Sequence, residues 1–157
     1  MSEKIKKSLP LMVLCFSLLL FFSAFLSAIK TDDNEIIMTG TTAIFGGQVA
    51  AFGAFLSASV KFSFLNLLAF FLPAILSIAL GIYCIFDKEE SLPKKILNIA
   101  INFSFLLSIV FLAMLPANTK GAYMVFGNEI IFAYEGAKLA VGAILGLIFS
   151  SLGFVVS

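Results

Sequence analysis

Three polar residues lie inside long apolar stretches and could do chemistry there. Asn98 and Asn102 are four residues apart, which places both side chains on one face of a helix. Tyr83 is expected at the same depth on the preceding helix. These side chains either form a cluster of interhelical hydrogen bonds, worth about 0.6 to 2 kcal/mol, or line a polar cleft for a substrate. We favour the hydrogen-bonded cluster.

The residue types that catalysis usually needs are missing from the apolar stretches. The chain has no His, no Trp and no Arg, and its Asp, Glu and Lys residues lie outside these stretches or at their very ends. Ionisable groups within a membrane mark proton relays, ion pathways and buried catalytic sites. Their absence argues against pumps, proton-coupled transporters and intramembrane hydrolases. The sequence therefore predicts a protein that is not an enzyme, with no catalytic residue, no metal ligand and no cofactor.

Two clusters elsewhere in the chain carry oxygen atoms that could bind or react. Thr31 to Glu35 concentrates oxygen ligands, but it lacks the alternating ligands of a helix-loop-helix calcium loop, so a solvated charge run is favoured. Ser57, Ser59 and Lys61 contain the groups of a Ser/Lys hydrolytic pair. Their spacing does not indicate a positioned nucleophile, so no site is predicted at either cluster.

Composition places the whole chain in a membrane. Its 157 residues are 61% hydrophobic and 12% charged, with a mean hydropathy of +1.12, whereas soluble domains are roughly 45–50% apolar and about 25% charged. Four apolar stretches are long enough to cross a hydrocarbon core of about 30 Å at about 1.5 Å per residue. We therefore predict one membrane domain, residues 1–157, of the all-α transmembrane class: a four-helix membrane bundle with spans at residues 9–29, 62–86, 96–116 and 137–157.

The lysines set the expected orientation in the membrane. Six of the ten lysines lie on the side of the N-terminus and the loop 87–95, and four lie on the side of the outer loops 30–61 and 117–136. This bias predicts a multi-pass protein of the cell membrane with both termini in the cytoplasm. The N-terminal stretch also fits a signal peptide, but the small residues of a cleavage site are missing, so an uncleaved first helix is favoured.

The second outer loop has the pattern of a β-hairpin. Two apolar arms, 122–126 and 129–133, flank Gly127-Asn128, which suits a two-residue turn because glycine accepts the positive φ that the turn requires. In that register Tyr123 faces Phe132. We therefore predict a small β-structure formed by the two extracytoplasmic loops together.

The first outer loop repeats the pattern less clearly. Residues 35–39 and 41–45 are predicted to be extended, with a turn at Gly46-Gly47. Residues 48–60 fit a third strand or a short interfacial helix equally well. The uncharged stretch 41–60 is also long enough for a fifth transmembrane helix, but such a helix would have to reverse at once before the next span.

A row of small residues runs along the fourth predicted span. Gly142, Gly146 and Ser150 repeat every four residues, a spacing that lets another helix approach closely. The partner is either the first helix of the same chain or a helix of another subunit, and the spacing leaves both open.

The outer loops carry more apolar surface than a small sheet can bury on itself. Large exposed apolar patches mark contact with a partner or with lipid. We therefore predict a non-enzymatic interaction or accessory protein whose partners are the lipid bilayer and a membrane protein or another copy of the chain. A net charge of +1 predicts no nucleic-acid partner. The alternative function is a small channel or transporter subunit, with a pathway lined by Asn66, Asn98, Asn102 and serines of the helices. The predicted outer interaction surface consists of Phe45, Phe52, Tyr123, Phe126 and Phe132.

Two resemblances add to this interpretation. The run Thr39-Gly-Thr-Thr-Ala-Ile-Phe-Gly46, with Leu56 and the run from Val60 to Phe70, resembles a pattern in small, uncharacterised four-helix bacterial membrane proteins. That resemblance implies a topology and no activity. The arrangement also resembles claudin-like tetraspan proteins, whose two outer loops fold into one small sheet above a four-helix bundle. The tryptophans and paired loop cysteines of claudins are absent here, so no adhesive function is implied.

Overall fold

Four long helices pack in a closed ring. The computed structural model describes residues 3–52, 56–86, 92–126, 128–134 and 136–157. Each long helix contacts two others, in the cyclic order first, third, fourth and sixth helix of the chain. The helices are α1 (Glu3–Ser23), α2 (Gly40–Phe45), α3 (Phe64–Phe86), α4 (Leu92–Ala113), α5 (Leu115–Asn118) and α6 (Val141–Val156).

Two of these helices are long and apolar enough to cross a membrane, α3 over Phe64–Cys84 and α4 over its full length. The apolar part of α1, Leu9–Ser23, and α6, with 16 residues, are shorter. The predicted span 9–29 therefore extends beyond the C-terminal end of α1, and the predicted span 137–157 begins before the N-terminal end of α6. At these two ends, next to the sheets, the backbone leaves the helix and pairs in a β-sheet.

The first sheet has three strands, β1 (Ser27–Lys30), β2 (Ile36–Thr39) and β7 (Lys138–Leu139), in the order β2-β1-β7. The central strand β1 pairs antiparallel with both neighbours. This sheet explains where α1 ends and α6 begins, since it takes residues 27–30 and 138–139 out of the helices. Tertiary pairing outweighs the helical hydropathy pattern at these positions.

The second sheet has four strands, β3 (Gly47–Phe52), β4 (Leu56–Val60), β5 (Lys120–Val125) and β6 (Asn128–Ala133), in that order. Pairing of β4 with β5 joins the two loop segments into one sheet. The prediction of a β-structure built from both segments is therefore confirmed. For the described residues 48–52 and 56–60 the strand interpretation holds, so the alternative of a fifth transmembrane helix at 41–60 is wrong.

Residues 41–45 are helical, so their predicted extended conformation is wrong. The Thr39 side chain caps α2 by accepting a hydrogen bond from the Thr42 backbone N–H at 3.3 Å. At the other end, Gly46 has φ 78° and donates its N–H to the Thr42 carbonyl at 2.9 Å. A side chain at Gly46 would also meet the Val60 carbonyl oxygen, so only glycine fits where the chain leaves α2 for β3.

The β5–β6 hairpin has a different register from the predicted one. Tyr123 faces Ile130, and Phe132 faces Gly121, which shifts the pairing by two residues. Val125 pairs with Asn128, so Asn128 belongs to β6 and not to the turn, whereas Gly127 lies outside the described residues. A shift by an even number keeps each side chain on its predicted face, because side chains in a strand alternate with a period of two.

Candidate functional site

The far half of the β5–β6 hairpin is exposed on both faces. Tyr123 and Ile130 lie opposite each other on one face and are 45% and 57% exposed. Met124 and Ile131 lie on the other face and are 46% and 58% exposed. A strand that covers a core buries one face only. The far half of the hairpin therefore carries exposed apolar side chains on both faces of the sheet.

Aromatic contacts and one ion pair hold the hairpin in place. The Phe132 ring stacks on Tyr123 with centroids 4.5 Å apart and an interplanar angle of 15°. Phe132 also covers Gly121, where a β-carbon would overlap its ring. Lys61, which lies between β4 and α3, forms an ion pair with Glu129 of β6. These contacts fix the position of the hairpin strands that carry the exposed apolar residues.

Strand β6 forms one edge of the four-stranded sheet. Its sequence, Asn-Glu-Ile-Ile-Phe-Ala, includes one charged residue, and no described strand pairs with its outer side. Exposed edges with little charge are templates for pairing with another chain, and proteins usually protect them with Lys, Pro or a bulge. We call the exposed apolar residues of the hairpin, Tyr123, Met124, Ile130 and Ile131, together with the β6 edge, the hairpin surface.

The residues of the predicted outer interaction surface lie on three parts of the fold, the β5–β6 hairpin, α2 and β3. Tyr123 and Phe132 lie side by side on the hairpin, and Phe126 lies at its turn, 79% exposed, with a positive φ of 48°. Phe45 lies on α2, where its ring packs edge-on against Phe71 of α3 at 6.0 Å. The backbone of Phe52 is in β3, and its side chain lies outside the described part.

Burial raises the pKa of the Tyr134 phenol above its ordinary value, with a smaller contribution from Tyr123. Tyr134 follows β6 and packs edge-on against Phe132 at 5.2 Å. This phenol therefore stays neutral at physiological pH and adds no charge to the base of the hairpin.

A buried amide ties the hairpin and α2 to α3. Asn66, in the first turn of α3, has no exposed surface. Its side-chain N–H groups donate to the Ala43 carbonyl and to the Thr119 hydroxyl, each at 2.9 Å. Ser63 caps the same turn, and its hydroxyl donates to the Asn118 carbonyl at 3.0 Å. This role of Asn66 was not predicted from the sequence, although a serine three residues before Asn66 is a helix-start pattern.

The predicted intramembrane polar cluster lies at the opposite end of the helix ring. Asn102 of α4 donates to the Ser157 hydroxyl at 3.0 Å, so its hydrogen bond reaches the end of α6. Asn98 lines a cavity of about 400 Å³ between the helix ends. Tyr83 is half-buried on α3. Asn66 and Asn98 are separated by nearly the full length of α3, about 30 Å at 1.5 Å per residue.

The row of small residues faces α1 of the same chain. Gly142, Gly146 and Ser150 are all buried. A β-carbon added at Gly142 would lie 2.7 Å from the Ser23 carbonyl oxygen, and one added at Gly146 would lie 3.1 Å from the Ser23 hydroxyl. The row thus provides close packing within one chain, as small residues in helix pairs commonly do.

Polar side chains in the other clusters are engaged with each other. In the turn after β1, Lys30 donates to the Asn34 side-chain oxygen at 2.8 Å, and Lys138 forms an ion pair with Asp32 at 3.1 Å. The ion pair of Lys61 with Glu129 directs that lysine toward the hairpin. Within the described ranges, no group of three or more His, Cys, Asp or Glu side chains could hold a metal ion.

Comparison of the chain with protein-family models, with curated proteins and with solved structures gives no match.

Proposed function

We propose that this chain is a non-enzymatic integral membrane protein with four membrane-spanning helices, and that it acts as an interaction or accessory protein through its hairpin surface. The partner is a second membrane protein or another copy of the chain. One observation carries the docking proposal: an apolar hairpin that is exposed on both faces and ends in an open strand edge.

The distribution of polar groups in the helix ring supports the membrane location. Large apolar side chains point outward from all four long helices, whereas several buried polar side chains are serines inside the ring. A water-soluble bundle would have the reverse arrangement, with polar residues outside. Outward-facing examples are Leu19 and Phe22 on α1, Ile75, Ile78 and Ile82 on α3, Ile99 and Phe103 on α4, and Ile144 and Ile148 on α6; the inward-facing serines are Ser17, Ser77, Ser104, Ser108 and Ser150.

The shorter helices are compatible with four crossings. At 1.5 Å per residue, the 16 residues of α6 extend about 24 Å, against a hydrocarbon core of about 30 Å. A bilayer adapts to such a mismatch by local thinning at a cost of fractions of a kcal/mol per Å. Strands β1 and β7 continue α1 and α6, and their backbones are paired with each other.

The proposed orientation places both termini in the cytoplasm and the hairpin outside. After the native cysteines have been replaced by alanine, a cysteine at Asn128 should react with a membrane-impermeant thiol reagent in intact cells. A cysteine at Leu92, which is 77% exposed at the start of α4, should react only after the cells are opened. The opposite labelling pattern would overturn the orientation, and equal labelling of both sites in intact cells would overturn the membrane crossing.

Photo-crosslinking tests the docking itself. Benzoylphenylalanine placed at Ile131 should give one adduct of discrete mass in cells, because that side chain lies on the hairpin surface. The same amino acid at Ile36, which is 66% exposed on β2 of the other sheet, should give none. Two differently tagged copies of the chain distinguish self-association from a foreign partner. Diffuse adducts at both positions would show that the hairpin contacts no particular protein.

The channel or transporter alternative has less support. A continuous pathway needs polar groups along the axis of the ring, but both side-chain N–H groups of Asn66 are bonded into the loop structure at one end. Its side-chain oxygen is buried and has no partner among the described residues. Between Asn66 and Asn98 large apolar side chains with 0–1% exposure, Phe70, Phe105 and Ile101, lie in the ring beside the buried serines. We therefore retain the docking function as the proposal.

A further inference from the structure

Among the described residues, a cavity lies at the end of the helix ring away from the sheets. It has a volume of about 400 Å³ and lies between the start of α1, the end of α3, the start of α4 and the end of α6. Its walls are apolar and include Val13, Leu80 and Ile101. On the α4 side it is lined by Lys94, Lys95 and Asn98. All four helices contribute to it, so it belongs to the interior of the ring.

A second cavity extends this space sideways. It has about 330 Å³, lies between α1 and α3, and shares Pro10, Val13 and Leu80 with the first. Its walls are also apolar except at Ser77, which is 3% exposed and whose hydroxyl has no hydrogen-bond partner among the described residues. Gly81 lines the same space, and a β-carbon added there would meet nothing within 4 Å. The two cavities together form a slot that leads from the ring interior to the helix surface.

The charged end of the slot suits an anion. Lys94 and Lys95 lie in the first turn of α4, where the backbone N–H groups lack helical partners and the helix dipole is positive. Asn98 lies one turn further along the same helix. Basic pockets between helices on the cytoplasmic side of a membrane bind anionic lipid headgroups. An amphiphile with an anionic head and an apolar chain therefore matches both ends of the slot.

We infer that this slot binds one anionic glycerophospholipid of the surrounding bilayer. The phosphate lies against Lys94, Lys95 and Asn98, and one acyl chain lies between α1 and α3, where the Ser77 hydroxyl can donate to an ester oxygen. The inference rests on the proposed membrane location, but not on the role of the hairpin surface. A soluble anion would leave the apolar walls in contact with water, and a partner helix would not fit inside the ring.

Titration of the detergent-purified protein, followed by native mass spectrometry, tests the site. One molecule of dioleoylphosphatidylglycerol should bind per chain, and dioleoylphosphatidylcholine should bind more weakly. Replacing both lysines, Lys94→Gln with Lys95→Gln, should weaken binding of the anionic lipid roughly 30-fold, at about 1 kcal/mol for each lysine. The matched double change at the other end of the molecule, Lys120→Gln with Lys138→Gln, should leave binding unchanged.

A filling substitution tests the acyl-chain part of the slot. Gly81→Leu places a side chain in open space, so the variant should keep its thermal stability without lipid and should lose binding of both lipids. Unchanged binding in this variant would overturn the proposed position of the acyl chain. If Gly81→Leu does not fold, the lysine pair and its control still decide the headgroup site.

Three further outcomes bear on the inference. Equal binding of the two phospholipids would mean that Asp87, Glu89 and Glu90, which precede α4 in the sequence, cancel the lysines, and would overturn it. Tighter binding of oleate than of the phosphatidylglycerol would identify a fatty-acid site and would also overturn it. Recovery of the protein in the soluble cell fraction would refute the membrane location, whereas a membrane-bound protein without lipid selectivity would refute only the lipid site.

Discussion

Gly142→Leu is expected to separate α6 from α1 and to destabilise the folded protein by about 3 kcal/mol or more. At Gly142 a β-carbon alone would lie 2.7 Å from the Ser23 carbonyl and 2.8 Å from the Ser27 carbonyl. Both neighbours are backbone atoms where α1 passes into β1, and that segment also pairs with β2 and β7. Relief of the overlap therefore requires movement of a helix end and a sheet together. The measurement is the thermal or SDS-induced unfolding midpoint in mild detergent.

Two matched glycine substitutions show whether the effect comes from this contact. Gly146→Leu should destabilise less, because its nearest neighbours are the movable ends of the Leu112 and Ser23 side chains at 3.1 Å. Gly81→Leu should be tolerated, because the space beside it is open. If all three variants unfold at the same midpoint as the unmodified protein, the row of small residues does not pack against α1. A loss confined to an oligomer band would instead place the row between subunits.

Hydropathy was sufficient to locate the four long helices, since each contains most of a predicted span. It could not locate the ends of α1 and α6. Ser27–Lys30 and Lys138–Leu139 are strands because they pair with each other, a contact between residues more than 100 positions apart in sequence, and Ser27–Lys30 also pairs with β2. No local pattern encodes that pairing. The same limit applies to residues 41–45, where the β-branched residues favour a strand but the Thr39 cap starts a helix.

The position of the hairpin surface in the chain was predictable from the sequence, but the residues exposed on it were predicted less well. Two apolar arms with a turn signal between them were sufficient to predict the strands β5 and β6, and the predicted faces are correct although the register differs by two residues. Burial was not predictable from this pattern. Ala122 is buried and Met124 is exposed on the same face, because only the base of the hairpin lies against the helices. Phe45 is 56% exposed, but it lies on α2, where its ring packs edge-on against Phe71, and its place in the interaction surface stays a prediction.

Ile130→Lys with Ile131→Lys is expected to abolish the complex formed through the hairpin surface while the protein remains folded in the membrane. The two side chains lie on opposite faces of β6, so the double change places a charge on each face of the hairpin and along its open edge. Lysine is the residue with which natural edge strands resist pairing. Each charge that a partner would have to bury without a counter-ion should cost about 2 kcal/mol or more of binding free energy.

The control for this variant is Ile36→Lys, which makes the same replacement at a comparably exposed position of the other sheet, 66% against 57% and 58%. Both variants should unfold within about 0.5 kcal/mol of the unmodified protein, because exposed positions tolerate substitution. Complex size on native gels, measured after extraction in mild detergent, should fall for the β6 variant alone. If the β6 variant keeps the full-sized complex, the hairpin is a connector between helices and the docking proposal is wrong. If Ile36→Lys also dissociates the complex, the interface extends over both sheets, and β6 is not its centre.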